Sequence, residues 1–170
     1  MINKFNLIFV TFFGIGKIKK IPGTFGSLVA TILLFCFFHV LNIPSNIILF
    51  VLVIIFFYSF YAIDNYTKEL KNKDPKEIVI DEVIGQSIPL YLYEISHSTT
   101  KDFSDALNFY FIIFVLFRFF DIVKPFPVNY FDKNFKNSFG VIMDDVCAGF
   151  YVVLVIILYM IITWKNFLIK

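Results

Sequence analysis

RFFDIVKPFPVNYFDKNFKNSFGVIMDDVCAG, residues 118–149, lies between two apolar runs and carries Arg118, Asp121, Lys124 and the adjacent pair Asp144–Asp145. Charges are costly at the edge of a hydrocarbon layer, so charges found there point to function. Paired carboxylates suit a hard divalent cation, and Arg with Lys suits a phosphate. The combination predicts a membrane enzyme acting on a phosphate at the membrane surface.

The rest of the chain supports the membrane part of this reading. Of 170 residues, 59% are hydrophobic and 16% charged, whereas soluble domains carry about a quarter charged residues. The abundance of Phe, Ile, Lys and Asn fits an A+T-rich genome, so the argument rests on the apolar runs and not on the totals. Long runs cover residues 28–43, 47–63, 106–123 and 148–164. Each is near the ~20 residues that a bilayer requires of a helix. Asn42-Ile43-Pro44-Ser45-Asn46 reads as a tight turn that makes a helical hairpin of the first two. A shorter run, 78–93, is apolar apart from Asp81, Glu82, Gln86 and Ser87, and contains Gly85 and Pro89. The expected fold is all-α: a polytopic membrane bundle of about four long helices plus one short crossing or re-entrant helix, with residues 1–170 forming a single membrane-embedded domain. Residues 5–13 are too short to span, and Phe-Phe-Gly-Ile-Gly makes a poor cleavage site, so the N-terminal segment is expected to be retained at the interface.

Lysines orient the bundle. Lys17, Lys19 and Lys20 precede the first run, Lys68, Lys71, Lys73 and Lys76 follow the second, and Lys124, Lys133 and Lys136 precede the last, while the 94–105 loop has only Lys101. The Lys-rich loops belong on the cytoplasmic side. This places Asp81–Glu82, Arg118–Asp121, Asp144–Asp145 and the segment PGTFGS (22–27) on one face at one depth.

Five carboxylates (Asp81, Glu82, Asp121, Asp144 and Asp145) gathered there would repel one another without a cation. An all-oxygen ligand set favours Mg²⁺ or Mn²⁺ over zinc. The alternative is that they are acids at helix starts, which the helix dipole favours anyway. Arg118 is the single arginine among 15 basic residues. Arg118, Asp121 and Lys124 are spaced by three and share a helical face, so a structural Arg118–Asp121 ion pair is the competing reading. Pro125 and Pro127 end that helix just past Lys124. PGTFGS leads into a helix start that Thr24 or Ser27 could cap. Free N–H groups there, with Gly23 and Gly26, would suit an anion, although an ordinary capped loop has the same residues. His39 and His97 have no ligand-type partner at local spacing and are expected to be structural, and Cys36 and Cys147 to be apolar fillers. A net charge of +2 and the lack of a basic run argue against nucleic acid. No nucleophile elbow, P-loop or Cys–His pair occurs, which leaves a water activated by a metal ion as the nucleophile.

Four blocks, PGTFGSLVA (22–30), IVIDEVIG (78–85), FRFFDIVKPFPVNYFD (117–132) and GVIMDDVCAG (140–149), resemble in order and spacing the phosphatidylglycerophosphatase A family. The third and fourth together carry the specificity. The resemblance implies a Mg²⁺-dependent lipid phosphatase of the bacterial inner membrane, multi-pass and with its site facing the cytoplasm. Its substrate would be phosphatidylglycerophosphate in the membrane, converted to phosphatidylglycerol and inorganic phosphate. Asp81, Glu82, Asp121, Asp144 and Asp145 fall on the family's acidic positions, Arg118 and Lys124 on its basic ones, and Thr24 and Ser27 on its Gly-rich segment with Gly26. The implied catalytic set is Asp121, Asp144, Asp145, Arg118 and Lys124. Ile21 stands before the proline where the family pattern has Ala. Other readings compatible with these residues are a CDP-lipid-dependent phosphatidyl transferase, whose Ala-Arg acidic motif is absent, a small ion or proton transporter, and a subunit whose charged patch docks a partner. Oligomeric state is open at this point.

Overall fold

The computed structural model describes residues 4–68, 75–96 and 103–168, with side chains through residue 162. Lys71, Lys73, His97, Lys101 and Asp102 lie outside the described residues. Seven α-helices are described: α1 (Lys4–Val10), α2 (Pro22–Phe35), α3 (Ser45–Thr67), α4 (Ile80–Ser96), α5 (Phe103–Val123), α6 (Val128–Asn134) and α7 (Ser138–Leu168). No strand occurs among the described residues. Four segments are long and apolar enough to cross a membrane: Pro22–Val40, Ser45–Thr67, Phe103–Val123 and Ser138–Ile162. The protein is thus an all-helical membrane protein, as its apolar runs predict.

The short fifth segment is the centre of the bundle. α4 packs against α2, α3, α5 and α7, and Ile80, Val83, Ile84, Leu90 and Tyr93 are buried. A helix apolar on all sides is one that is covered on all sides. α4 meets α7 where Gly85 and Gly149 face each other. A Cβ on Gly149 would lie 2.5 Å from the Gly85 carbonyl oxygen, and one on Gly85 would lie 2.6 Å from that of Asp145. Small residues let two helix backbones approach this closely in a membrane.

Three local features differ from the sequence-based expectation. First, PGTFGS is not a loop but the opening turns of α2, which begins at Pro22. Proline's fixed φ is suited to a first helical position. Neither Thr24 nor Ser27 caps it; the N-cap is Ile21, in left-handed backbone at φ 48°, without a side-chain bond. Second, α7 begins at Ser138 and not near residue 148, so Asp144 and Asp145 lie in its second turn. Asn137 supplies the start: its Oδ1 accepts the Gly140 N–H at 3.1 Å, the arrangement of an N-cap. The Ser138 N–H also donates to Asp64 Oδ1 at 3.3 Å, tying α7 to the end of α3. Third, α2 and α3 are joined by a short turn but splay apart. An apolar recess of about 210 Å³ separates them, and α2 packs instead on α4 and α5. Past Phe35, α2 continues as a π-helical turn, Cys36–Val40.

α1 lies along α3. Tyr58 Oη donates to Asn6 Oδ1 at 2.7 Å, and the Phe9 and Tyr58 rings meet edge to face at 4.7 Å. The Val79 N–H donates to the Val10 carbonyl at 3.0 Å, so the N-terminal helix braces the entry to α4. At the opposite end of α4, Glu94 Oε1 meets His39 Nε2 at 3.1 Å. His39 therefore has a carboxylate partner, 55 residues away in sequence, and this contact ties the π-helical turn to α4.

Candidate active site

α2, α4 and α7 start, and α5 ends, at the same end of the bundle. Their termini surround a cavity of about 460 Å³. It holds Thr24, Asp81, Glu82, Arg118, Asp121, Lys124, Asp144 and Asp145 in its lining. All five predicted carboxylates and both predicted cations are therefore brought together. Gly26 and Ser27 do not line the cavity. Gly26 packs on Val79, and Ser27, fully buried, donates to the Gly23 carbonyl at 2.9 Å.

Ser27 has another contact: Arg118 Nη1 donates to its Oγ at 3.3 Å. The same Nη1 forms an ion pair with Asp121 Oδ2 at 2.6 Å. One turn of α5 and the first turns of α2 thus fix the guanidinium at the cavity wall. The ion pair that competes with a phosphate-binding role is present; both contacts fall on Nη1, and Nε is buried without a hydrogen-bond partner among the described residues.

Lys124 is not on the face of α5 with Arg118. It follows the last helical residue in left-handed backbone, φ 47°, and its N–H bonds the Phe120 carbonyl at 2.9 Å. This turns Nζ to donate to Asp132 Oδ1 and Asp144 Oδ2, each at 2.8 Å. Burial alone would lower the Lys124 pKa; Asp144 and Asp132 outweigh it and hold the ammonium above the ordinary lysine value. It is charged at every physiological pH.

Asp81, Glu82 and Asp145 form the inner cluster. One carboxylate oxygen from each lies within 4.8 Å of the other two. Asp81 and Asp145 are buried. Among the described residues, Glu82 Oε2 and Asp145 Oδ1 are buried without a hydrogen-bond partner. Buried carboxylate oxygens are costly in that state. An oxygen-only donor set with unsatisfied atoms converging on one point fits a hard divalent cation. Gly23 leaves the room that Glu82 occupies, because a Cβ there would lie 1.9 Å from its Oε1. Asp144 is turned away from this cluster: Lys124 takes its Oδ2, and the Asp145 N–H donates to its Oδ1 at 3.0 Å. Asp121 is engaged by Arg118.

Several lining residues were not singled out from sequence. Asp132 secures Lys124 from α6, and its carbonyl accepts from Lys136 Nζ. Lys19, Lys76 and Lys136 also line the cavity; in the sequence they served only to orient the loops. Gly140 joins Gly23, already read as part of PGTFGS, in the wall, and a Cβ on Gly140 would run into the Phe135 carbonyl. No local spacing signals these contacts, since they come from separate elements.

The family model for phosphatidylglycerophosphatase A matches residues 8–160, which includes every element of the cavity. The chain belongs to the phosphatidylglycerophosphatase A family. A phosphatidylglycerophosphatase A of Haemophilus influenzae is 36% identical, over 92% of this chain and 88% of its own. One of Escherichia coli K12 is 32% identical, over 88% of this chain and 79% of its own. A protein of Bacteroides thetaiotaomicron with the provisional name phosphatidylinositol-3-phosphatase is 37% identical, over 83% of this chain and 84% of its own. No solved structure gives a significant match. The match thus spans a cavity of which Asp81, Glu82, Arg118, Asp121, Lys124, Asp144 and Asp145 stand in the four sequence blocks, whereas Lys19, Lys76 and Lys136 lie outside them.

Proposed function

We propose that this chain is a Mg²⁺-dependent phosphatidylglycerophosphatase. It hydrolyses the terminal phosphate monoester of phosphatidylglycerophosphate to phosphatidylglycerol and inorganic phosphate, at the cytoplasmic face of the bacterial inner membrane. The observation that carries the reading is the meeting of Asp81, Glu82 and Asp145 with Arg118 and Lys124 in one cavity at one end of the bundle. Membership of the family and the names of its relatives support the substrate. Lys19, Lys76 and Lys136 around the cavity support the cytoplasmic orientation, since cytoplasmic loops are enriched in lysine.

Asp81, Glu82 and Asp145 would hold the cation, which when bound supplies positive charge to the phosphoryl oxygens and acidifies a nearby water. Arg118 binds phosphate oxygens with the edge of its guanidinium that Asp121 and Ser27 leave open, and Lys124 adds a second positive charge. Both offset charge that grows on the phosphoryl oxygens in the transition state. Water oxygen bonds to phosphorus as the bond from phosphorus to the glycerol oxygen breaks. A cavity carboxylate takes the water's proton and returns it to the leaving alkoxide, which becomes the hydroxyl of phosphatidylglycerol. The lipid's acyl chains stay in the bilayer throughout.

Phosphate release by detergent-purified protein tests this. Release from phosphatidylglycerophosphate should require Mg²⁺, stop with EDTA, and fall by roughly 10²–10³-fold in Asp145→Asn, the scale of losing one preorganised charge contact. The Bacteroides relative favours one second reading, a phosphoinositide 3-phosphatase. Preferential release from phosphatidylinositol 3-phosphate would establish it instead. A folded, monodisperse sample that releases phosphate from neither lipid overturns both.

A further inference from the structure

We infer that the seam between α2 and α5 holds an acyl chain of the lipid whose phosphate enters the charged cavity. This rests on the lipid-phosphatase reading above and adds the route of the lipid's tail. Below the cavity, the two helices enclose an apolar groove of about 440 Å³ whose walls include Leu28, Ile32 and Phe35 of α2 and Leu107, Phe111 and Phe114 of α5. These residues continue the helical stripes that carry the cavity. On α2, Thr24 lines the cavity, and Leu28, Ile32 and Phe35 follow at steps of four, four and three. On α5, Ile122 and Arg118 line it, and Phe114, Phe111 and Leu107 follow at steps of four, three and four. Residues so spaced lie on one helix face.

The dimensions fit an acyl chain. From Thr24 to Phe35, and from Arg118 to Leu107, is eleven residues, or about 16 Å of helix. One leaflet of a ~30 Å hydrocarbon core is about 15 Å deep. The groove is open sideways, because Ile32, Leu107 and Phe111 are 52%, 53% and 65% exposed. The Arg118–Ser27 hydrogen bond crosses the seam. Ser27 is fully buried, so that bond lies on the inner side and leaves the lipid side open past Leu28 and the exposed Ile122.

Other apolar recesses among the described residues lack this continuity. Two of them, between α2 and α3 and among α3, α4 and α7, have α3 as a wall, and no α3 residue lines the charged cavity. A third, about 600 Å³ between the far halves of α4 and α7, is cut off from the cavity by the Gly85–Gly149 contact.

The test uses the full chain in phospholipid vesicles with phosphatidylglycerophosphate carrying a diazirine midway along one acyl chain. Photo-crosslinks should map to residues 28–35 and 107–114. Crosslinks confined to α3, α4 or the far half of α7 overturn the inference. Kinetics give an independent arm. Ile32→Trp and Leu107→Trp fill an exposed part of the groove, and the ratio of KM for long-chain to dispersed dihexanoyl substrate should rise roughly tenfold, the effect of displacing about two buried methylenes. Val53→Trp, in the recess among α3, α4 and α7, should leave the ratio as in the parent. An unchanged ratio in folded Ile32→Trp and Leu107→Trp proteins overturns the inference as well. A parent chain that releases no phosphate from either substrate refutes the phosphatase reading alone, and the crosslink map still decides the groove.

Discussion

Lys124 shows how much of the site depends on single residues. It occupies left-handed backbone, which costs a non-glycine residue about 1–2 kcal/mol. In return its ammonium reaches both Asp132 and Asp144. The left-handed turn and the charge can be separated, because Asn accepts that backbone but carries no charge. Lys124→Asn should therefore keep the turn but leave Asp144 and Asp132 without their cation, so the melting temperature falls and phosphate release falls about 10²-fold. A large loss of thermal stability with preserved turnover would show that Lys124 serves structure and not the reaction. The spacing of Arg118, Asp121 and Lys124 made all three legible as candidates, and all three line the charged cavity. It misplaced Lys124 on the helix face, because a three-residue spacing assumes a helix that continues, and α5 ends at Val123.

At the scale of elements, the long apolar runs were readable because each is a composition signal extended over about five turns. The start of α7 was not. In residues 138–147 the apolar Phe139, Val141, Ile142, Met143 and Val146 are interrupted by Ser138, Gly140 and the Asp144–Asp145 pair, so the apolar run reads as starting only at Ala148 until both Asp side chains are seen to line a cavity. The capping signal, Asn137 with Gly140 three residues on, was present but lost among the polar residues of the 133–138 segment. Contacts between elements, such as Lys124 with Asp132 or His39 with Glu94, leave no trace in local spacing. The α4–α7 crossing is the element-level contact on which the site most depends. Gly149→Ala would drive a methyl group into the Gly85 backbone, and overpacking of this kind costs about 1–3 kcal/mol. The expected result is a lowered unfolding temperature in detergent together with reduced turnover, since Asp145 lies one turn away. Unchanged values in both measurements would mean the helices are less closely apposed than described.

For the whole molecule, the charged groups at one end are a destabilising feature. Carboxylates of α4 and α7 converge within 4.8 Å, and a bound cation would relieve the repulsion. Anything that binds only the folded state raises its stability in proportion to the logarithm of ligand concentration, about 2.7 kcal/mol at one hundred times Kd. Mg²⁺ should therefore raise the unfolding temperature of the purified protein, EDTA should reverse this, and Asp145→Asn should lose most of the response. An identical unfolding temperature with and without Mg²⁺ would argue against a cation among these carboxylates, whatever the activity.

The glycine crossing of α4 and α7 has a mechanical consequence. Helices adapt to bilayers of different thickness by tilting, and two helices in backbone contact tilt about the point of contact. Glu82 is three residues from Gly85, about 4.5 Å along the axis, whereas Ser96 is about 16 Å away on the other side. A relative rotation of about 10° would move the carboxylates by less than about 1 Å and the far end of α4 by about 3 Å. Such a pivot would keep the carboxylates nearly in place and pass hydrophobic mismatch to the opposite end. Turnover in vesicles should then be nearly constant as the host lipids are lengthened from 14 to 18 carbons (values of order set by the ~30 Å core), and a steep dependence would show that the pivot slips.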